Sequence, residues 1–245
     1  MRLISVLLVA LPLALGDDMQ TALQSRDRVL ADGSKMFEGN INGFEWQATG
    51  VLKQGCPSSV HIKDCYDLEL TNNPKKQLDP KHLDQPRQRI EFANEGVADG
   101  ITATYKWKYY LFSKTKTTKT FFHLMQLLTH GGTGGPVITL DAVAGVVAVK
   151  DHVRDCSKTH CPSIPLAQFT DRTTEHTLTF TAGSKGKMQY LVKNADTGAT
   201  LLSYSASGNM GTKRTGVKFG TYRGAVTGMS ASSAALGDFT YHESH

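Results

Sequence analysis

From about residue 41 to the end of the chain, apolar and polar side chains alternate with a period of two. "GFEWQATGVL", "RQRIEF", "ITATYKWKYYLF", "TFFHLMQLL", "PVITLDAVAGVVAVK", "EHTLTFTAG", "KMQYLVKN", "ATLLSYSA", "GVKFGTYRG" and "AALGDFTYH" each read as a strand, separated by Gly, Asn, Asp, Ser or Lys turns. "KNADTGA" (193–199) is a hairpin signal through its Asp and Gly, and "FSKTKTTKT" (112–120) reads as a solvated hairpin turn. Upstream, "DDMQTALQSRDRVLADG" predicts a short helix. Met19, Leu23 and Leu30 fall near one face, Asp17 and Asp18 stand at its start, and Gly33 follows its end. About ten strands with almost no helix predict an all-β sandwich or jelly roll. A chain of this length can bury two sheets face to face and bend one into an open groove.

The opening "MRLISVLLVALPLALGDD" changes the compartment. One Arg, an apolar run from Leu3 to Leu15 and small residues before Gly16 predict a secretory signal peptide, cleaved after Gly16. The run is short of the ~20 residues a spanning helix needs, and no later segment is apolar enough to span. The mature protein is therefore expected to be secreted, extracellular and free of membrane contact. The expected organisation is a leader (1–16), an N-terminal segment (17–40) and one β domain (41–245), without repeats or linkers. Cys56, Cys65, Cys156 and Cys161 allow three connectivities. The local pairs Cys56–Cys65 and Cys156–Cys161 are expected, since both would pin short loops in an oxidising compartment. A zinc site is the rival, disfavoured by the wide gap between the pairs and by export. The formal charge of +5 suits a polyanionic partner and equally suits plain solubility. No basic tract is interleaved with aromatics, so nucleic acid is not an expected partner. A monomer is expected.

The candidate chemistry lies in three strands. In "VKFGTYRG", Lys218, Gly220 and Tyr222 share one face, with Val217, Phe219 and Thr221 behind them. In "RQRIEF", Arg87, Arg89 and Glu91 project opposite Gln88, Ile90 and Phe92. Taken alone, that stripe is most simply a solvated outer face. "TFFHLMQLL" is apolar on both faces, which strands His123 and Gln126 as polar groups whose burial unpaired costs a few kcal/mol. They are three positions apart, so a regular strand puts them on opposite faces unless a bulge intervenes. His123 reads as a satisfied core residue and Gln126 as the groove amide. Arg89, Gln126, Lys218 and Tyr222 together would suit a carboxylate next to an acidic C–H bond: Arg and Gln neutralise the carboxylate and the charge that develops on proton removal. A neighbouring cation favours the tyrosine phenolate, and Gly220 would let a sugar ring approach the sheet.

"R-I-E-F", "H-L-M-Q" and "K-F-G-T-Y-R", in that order, resemble the jelly-roll polysaccharide lyases. The alginate lyase branch carries an R-[ST]-E-L strand, a Q-[IV]-H strand and a K-x-G-x-Y strand. The closer resemblance is to the fungal glucuronan lyases, through "FFHLMQ", "GPVITLDA", "CPSIP", "RTTEH" and "KFGTYRG", over roughly residues 85–240. The resemblance implies a concanavalin-like jelly roll that cleaves 1,4-linked polyuronate, β-1,4-glucuronan foremost, by β-elimination. It also implies an acidic polysaccharide as partner and calcium as a structural ion. Gln126 and Arg89 match the carboxylate-binding groups, Tyr222 the tyrosine that takes the C5 proton and returns one to the leaving oxygen, and Lys218 the lysine of that strand. The alginate Q-x-H histidine has no counterpart, since Leu128 stands at that spacing; His123 or His82 would have to substitute. That departure argues against alginate. Arg87, Glu91 and His82 would line the substrate groove, and Asp238 in "LGDF" with Glu45 in "GFEW" are the calcium candidates. Two other readings stay open. A glycoside hydrolase needs two carboxylates about 5 to 9 Å apart; the E-x-D-x-x-E strand of jelly-roll glucanases is absent and Glu91 has no evident partner. A lectin-like protein could bind an acidic glycan without cutting it.

Overall fold

The computed structural model describes residues 28–130 and 135–244. Two antiparallel sheets account for more than half of them. One contains eight strands in the order β1 (Arg28–Asp32), β4 (Val51–Gln54), β5 (Cys65–Leu70), β17 (Ser232–Ser244), β8 (Thr102–Leu111), β13 (Thr173–Thr181), β14 (Gly186–Asn194) and β15 (Thr200–Gly208). The other runs β12 (Ser163–Pro165), β11 (Val146–Asp151), β10 (Pro136–Val143), β9 (Phe122–His130), β16 (Arg214–Gly224), β6 (Arg87–Ala93), β3 (Phe44–Ala48) and β2 (Phe37–Ile41), with β7 (Val97–Ala98) added to β16. Neighbouring strands come from distant parts of the chain, which is the jelly-roll arrangement of a two-sheet sandwich.

The alternation read from the sequence builds the core between the sheets. Tyr105, Trp107 and Tyr109 of β8 point inward, as do Ile90 and Phe92 of β6 and Val217 and Phe219 of β16. Trp107 stacks on Phe219 across the sandwich with ring centroids 5.0 Å apart, and Phe219 stacks on Phe92 at 6.2 Å. Truncating such a side chain to Ala costs about 3–5 kcal/mol. With Phe219 and its neighbours pinned inward, Lys218 and Tyr222 must face out of the nine-stranded sheet.

Several expectations change. "RVLAD" is not the end of a helix: it is strand β1, paired with β4, with Ala31 buried in the core. The leader and the rest of the expected helix lie outside the described residues. The sheets take in residues 28–41 as β1 and β2, so the folded domain begins earlier than residue 41. "FSKTKTTKT" is not a hairpin, because it carries the chain from β8 in one sheet to β9 in the other. Buried Thr115 anchors this crossing: its hydroxyl donates to Ser233 O at 3.1 Å and accepts from Ser233 N at 2.9 Å. "GFEWQATGVL" splits into β3 and β4, which belong to different sheets, and "PVITLDAVAGVVAVK" is the hairpin β10–β11, turned at Ala144 and Gly145. "KNADTGA" does close a hairpin, with Asn194 N donating to Ala199 O at 2.9 Å. Disulfides join Cys56 to Cys65 and Cys156 to Cys161. The second staples the short helix α1 (Cys156–Thr159), which Asp155 caps. Among the described residues no helix is long and apolar enough to cross a membrane.

Candidate active site

The outward face of the nine-stranded sheet is organised by one irregularity. Along β9 and β10, Leu140 pairs with Met125, but Asp141 pairs with His123, so Leu124 has no opposite number. Against β16 the register also shifts: Phe219 faces Met125 and Tyr222 faces His123. Leu124 and Met125, although consecutive, both enter the core. This bulge cancels the odd spacing of His123 and Gln126 and turns both to the groove. His123 is therefore not a core histidine. Two rows of side chains cross the strands as a result. One is Asp141–His123–Tyr222–Arg89, and the other is Thr139–Gln126–Lys218–Ala93–Glu45.

Gly220 sits at the bulge with φ +144°, and a Cβ there would lie 2.2 Å from the Ile90 carbonyl oxygen. Its lack of a side chain answers to the backbone of β6, not to the approach of a sugar ring.

In the first row, Asp141 and His123 Nδ1 are 2.6 Å apart and both side chains are largely buried. The imidazole stacks on Phe121 at 4.8 Å and lies 5.8 Å from the Tyr222 ring, centroid to centroid. A carboxylate on Nδ1 holds the proton there and leaves Nε2 as the free ring nitrogen. Tyr222 Oη accepts from Arg87 Nη1 at 2.8 Å, and the Arg89 guanidinium lies over the Tyr222 ring at 4.5 Å. Burial raises the Tyr222 pKa above its ordinary value, and the hydrogen bond from Arg87 and the charges of Arg89 and Arg87 only partly oppose it. The expectation that neighbouring cations favour the phenolate thus meets a larger desolvation effect. Tyr222 is a phenol in the resting groove, with cations ready to stabilise the phenolate once it gives up its proton.

The two groups expected to grip a substrate carboxylate already hold the protein's own. Arg89 pairs with fully buried Asp79 at 2.5 Å and donates to Gln47 at 3.2 Å. Gln126 Nε2 donates to Glu91 Oε1 at 2.6 Å, and Glu91 Oε2 lies 3.8 Å from Arg89. Asp79 comes from the loop before β6 and Asp141 from β10; neither was singled out from the sequence. Arg87 is the half-exposed cation at the groove's edge, held by Gln85 and lying over Phe121 at 5.6 Å. Lys218 is four residues from Tyr222, about 13 Å along the strand, so the cations around the phenol are Arg87 and Arg89. His82 stands at the rim, 3.9 Å from Asp79.

The calcium candidates do not meet. Asp238 is in β17 of the eight-stranded sheet, accepting from the backbone N–H groups of Lys63 and Asp64 and pairing with Lys108 at 2.9 Å, while Glu45 lies in β3 of the other sheet. Among the described residues no three His, Cys, Asp or Glu side chains converge as a metal cage. These two carboxylates do not fit a shared calcium ion.

No protein-family model matches the chain, and no curated protein matches it in sequence. Solved structures do match in fold. An endo-β-1,4-glucuronan lyase from the fungus Trichoderma reesei superposes with a TM-score of 0.58 at 12% identity, covering 85% of this chain and 94% of that one. The family 7 alginate lyase A1-II' in complex with substrate gives 0.51 at 11% identity over 77% and 83%. A GH131 β-glucanase catalytic domain from Podospora anserina gives 0.52 at 8% identity over 79% of each. The fold is the β-jelly roll that polysaccharide lyases share with glucanases.

Proposed function

We propose that this protein is a secreted polysaccharide lyase that cleaves 1,4-linked polyuronate, β-1,4-glucuronan foremost, by β-elimination. The observation that carries this reading is the row Asp141–His123–Tyr222–Arg89, with Arg87 on the phenol oxygen. It puts a candidate base and a candidate acid side by side on the open face of one sheet. His123 Nε2, its ring oriented by Asp141, takes the proton from C5 of a uronate. The C5–H electrons become the C4–C5 double bond, the C4–O4 bond breaks, and Tyr222 gives its proton to O4. Arg87 and Arg89 stabilise the phenolate that remains, and Arg87 is the cation best exposed to hold the uronate carboxylate. Tyr222 is here the acid, with His123 relieving it of the dual role that the family resemblance implies. The two lyases of the same fold are named for uronate polymers, which agrees with the reading without carrying it.

The engaged state of Arg89 and Gln126 favours one other reading, a lectin-like groove that binds acidic glycan without cutting it. Incubating the protein with glucuronan, alginate, pectate and hyaluronan, and following the absorbance of the conjugated double bond, tests both. Unsaturated ends from glucuronan are expected. Saturated ends mean hydrolysis, and binding without product means a lectin.

A further inference from the structure

Beyond the Tyr222 row the groove changes character. A cavity of about 150 Å³ opens there, lined by Glu45 and Gln47 of β3, Glu91 and Ala93 of β6, Glu95, and Lys218 of β16. Its floor follows from the second cross-strand row. Ala93 stands between Lys218 and Glu45, so a methyl group separates two long charged side chains and leaves a ring-sized depression. Three carboxylates surround it; Lys218 is the one lysine on the lining, and Arg89 lies behind it, 3.8 Å from Glu91 Oε2. Of the three carboxylates Arg214 reaches that of Glu95 alone, at 3.7 Å on the exposed side, and it is tied down by donating to Gly96 O at 2.7 Å. His130, also on the lining, has its pKa lowered by burial and then by Lys218 and Arg214, so it is a neutral imidazole at neutral pH. Glu91 is 5% exposed, and its Oε2 is buried with no hydrogen-bond donor among the described residues. An acceptor in that state destabilises the fold, the more so when charged, until a donor arrives.

An unsatisfied carboxylate oxygen in a pocket rich in acceptors calls for a ligand that donates hydrogen bonds and carries no negative charge. We propose that this pocket is a sugar subsite for a ring without a carboxylate, whose hydroxyls donate to Glu91, Glu45 and Gln47. The groove would then read a uronate at Arg87 and Tyr222 and a neutral hexose further along, so that its preferred chain mixes the two. Glu91 is two residues from Arg89 and Lys218 four from Tyr222, which puts the pocket about 7–13 Å from the reacting ring, within the reach of the same sugar chain. A uronate in the pocket meets three carboxylates, and like charges brought together oppose binding. The inference deepens the lyase reading and rests on it only for where the reacting ring sits.

The test is calorimetric binding of two β-1,4-linked tetrasaccharides, one all glucuronate and one alternating glucuronate with glucose, to the Tyr222→Phe variant. The alternating chain is expected to bind at least about tenfold more tightly, a difference of about 1.4 kcal/mol. Glu45→Gln with Glu95→Gln, both at exposed positions, should shrink the ratio several-fold by admitting a carboxylate. Equal or tighter binding of the all-glucuronate chain, or no binding of either at millimolar concentration, overturns the proposal. The outcome is separable from the lyase reading. Absence of unsaturated product from the unmutated protein on both tetrasaccharides removes the elimination chemistry, while the affinity ratio still judges the pocket.

Discussion

Among the described residues two His–Tyr pairs lie on β-strands, and the proposed chemistry falls on only one of them. His176 and Tyr190 lie in the eight-stranded sheet, 2.8 Å apart through Nδ1 and Oη, with Thr174 at 2.8 Å from the other ring nitrogen. Both are buried, and Trp107 stacks on the imidazole at 4.8 Å. Every ring nitrogen has a neutral partner, and burial drives the His176 pKa down to about 3 and that of Tyr190 well up. His123 and Tyr222 lie in the other sheet, where the imidazole has a carboxylate and the phenol two guanidiniums. The residue types are the same. What differs is charge within reach and a partly exposed imidazole beside a phenol that is itself only 7% exposed, and those decide whether a proton can move.

The largest effect should come from removing one hydroxyl from each pair. Tyr222→Phe is expected to lower the rate of unsaturated-product formation by about 10²–10⁴-fold, the usual contribution of a general acid. Tyr190→Phe should leave the rate within a few-fold and instead lower stability by about 1–3 kcal/mol, because His176 loses a buried partner. Rate assays and denaturant melts on both variants check this. Equal rates in the two would erase the distinction and send the acid elsewhere.

Arg89 sharpens the comparison from the structural side. Arg89→Leu leaves Asp79 charged and buried, and should cost about 3–5 kcal/mol of stability. The double variant Arg89→Leu, Asp79→Leu should regain much of that loss while the rate stays low. Recovery of both would make Arg89 a purely structural cation.

Gly220→Ala tests the bulge that separates the pairs. The added methyl meets the Ile90 carbonyl at 2.2 Å from a backbone angle that side chains avoid. A cost of about 2–3 kcal/mol is expected, with a loss of rate beyond what that destabilisation explains, since the variant shifts Tyr222 relative to His123. A variant as stable and active as the parent would mean that β16 relaxes without disturbing the row.

These sites were unequally legible. Period-two alternation was enough to put Lys218, Gly220 and Tyr222 on one face of β16, and Arg87, Arg89 and Glu91 on one face of β6, because both strands are regular against each other. His123 was misread because a bulge alters the period at a single residue, and no composition signal marks Leu124 as the extra one. A signal existed in pairs. "FFHLM" strands one histidine and "VITLDAV" one aspartate in apolar surroundings, and the low-energy solution for two such residues is each other. Asp79 was silent because its role depends on a loop folding back over β6. The true satisfied core histidine, His176, stands at the apolar position of the alternation in "EHTLTFT", on the same buried face as Leu178 and Phe180, so period two did mark it as inward-facing.

The smallest effect separates the two histidines by pH. His176 has a folded-state pKa of about 3 against an ordinary 6.5. Between those values the unfolded chain binds a proton that the folded chain cannot, so unfolding takes up protons and stability rises with pH. The penalty is absent above about pH 6.5 and grows as the pH falls toward 3, at about 1.4 kcal/mol for each pH unit. Carboxylates held low in the fold, Asp151 and Asp238 among them, add a loss of the same sign only at lower pH, as they approach protonation. His176→Gln keeps a donor and an acceptor at the site and removes the titration. Its stability should therefore vary less steeply than the parent's between pH 6 and 4, by about 1.4 kcal/mol per unit. Parallel curves from denaturant melts at each pH would mean that His176 reaches a proton in the folded state, and that the eight-stranded sheet opens more readily than its packing implies.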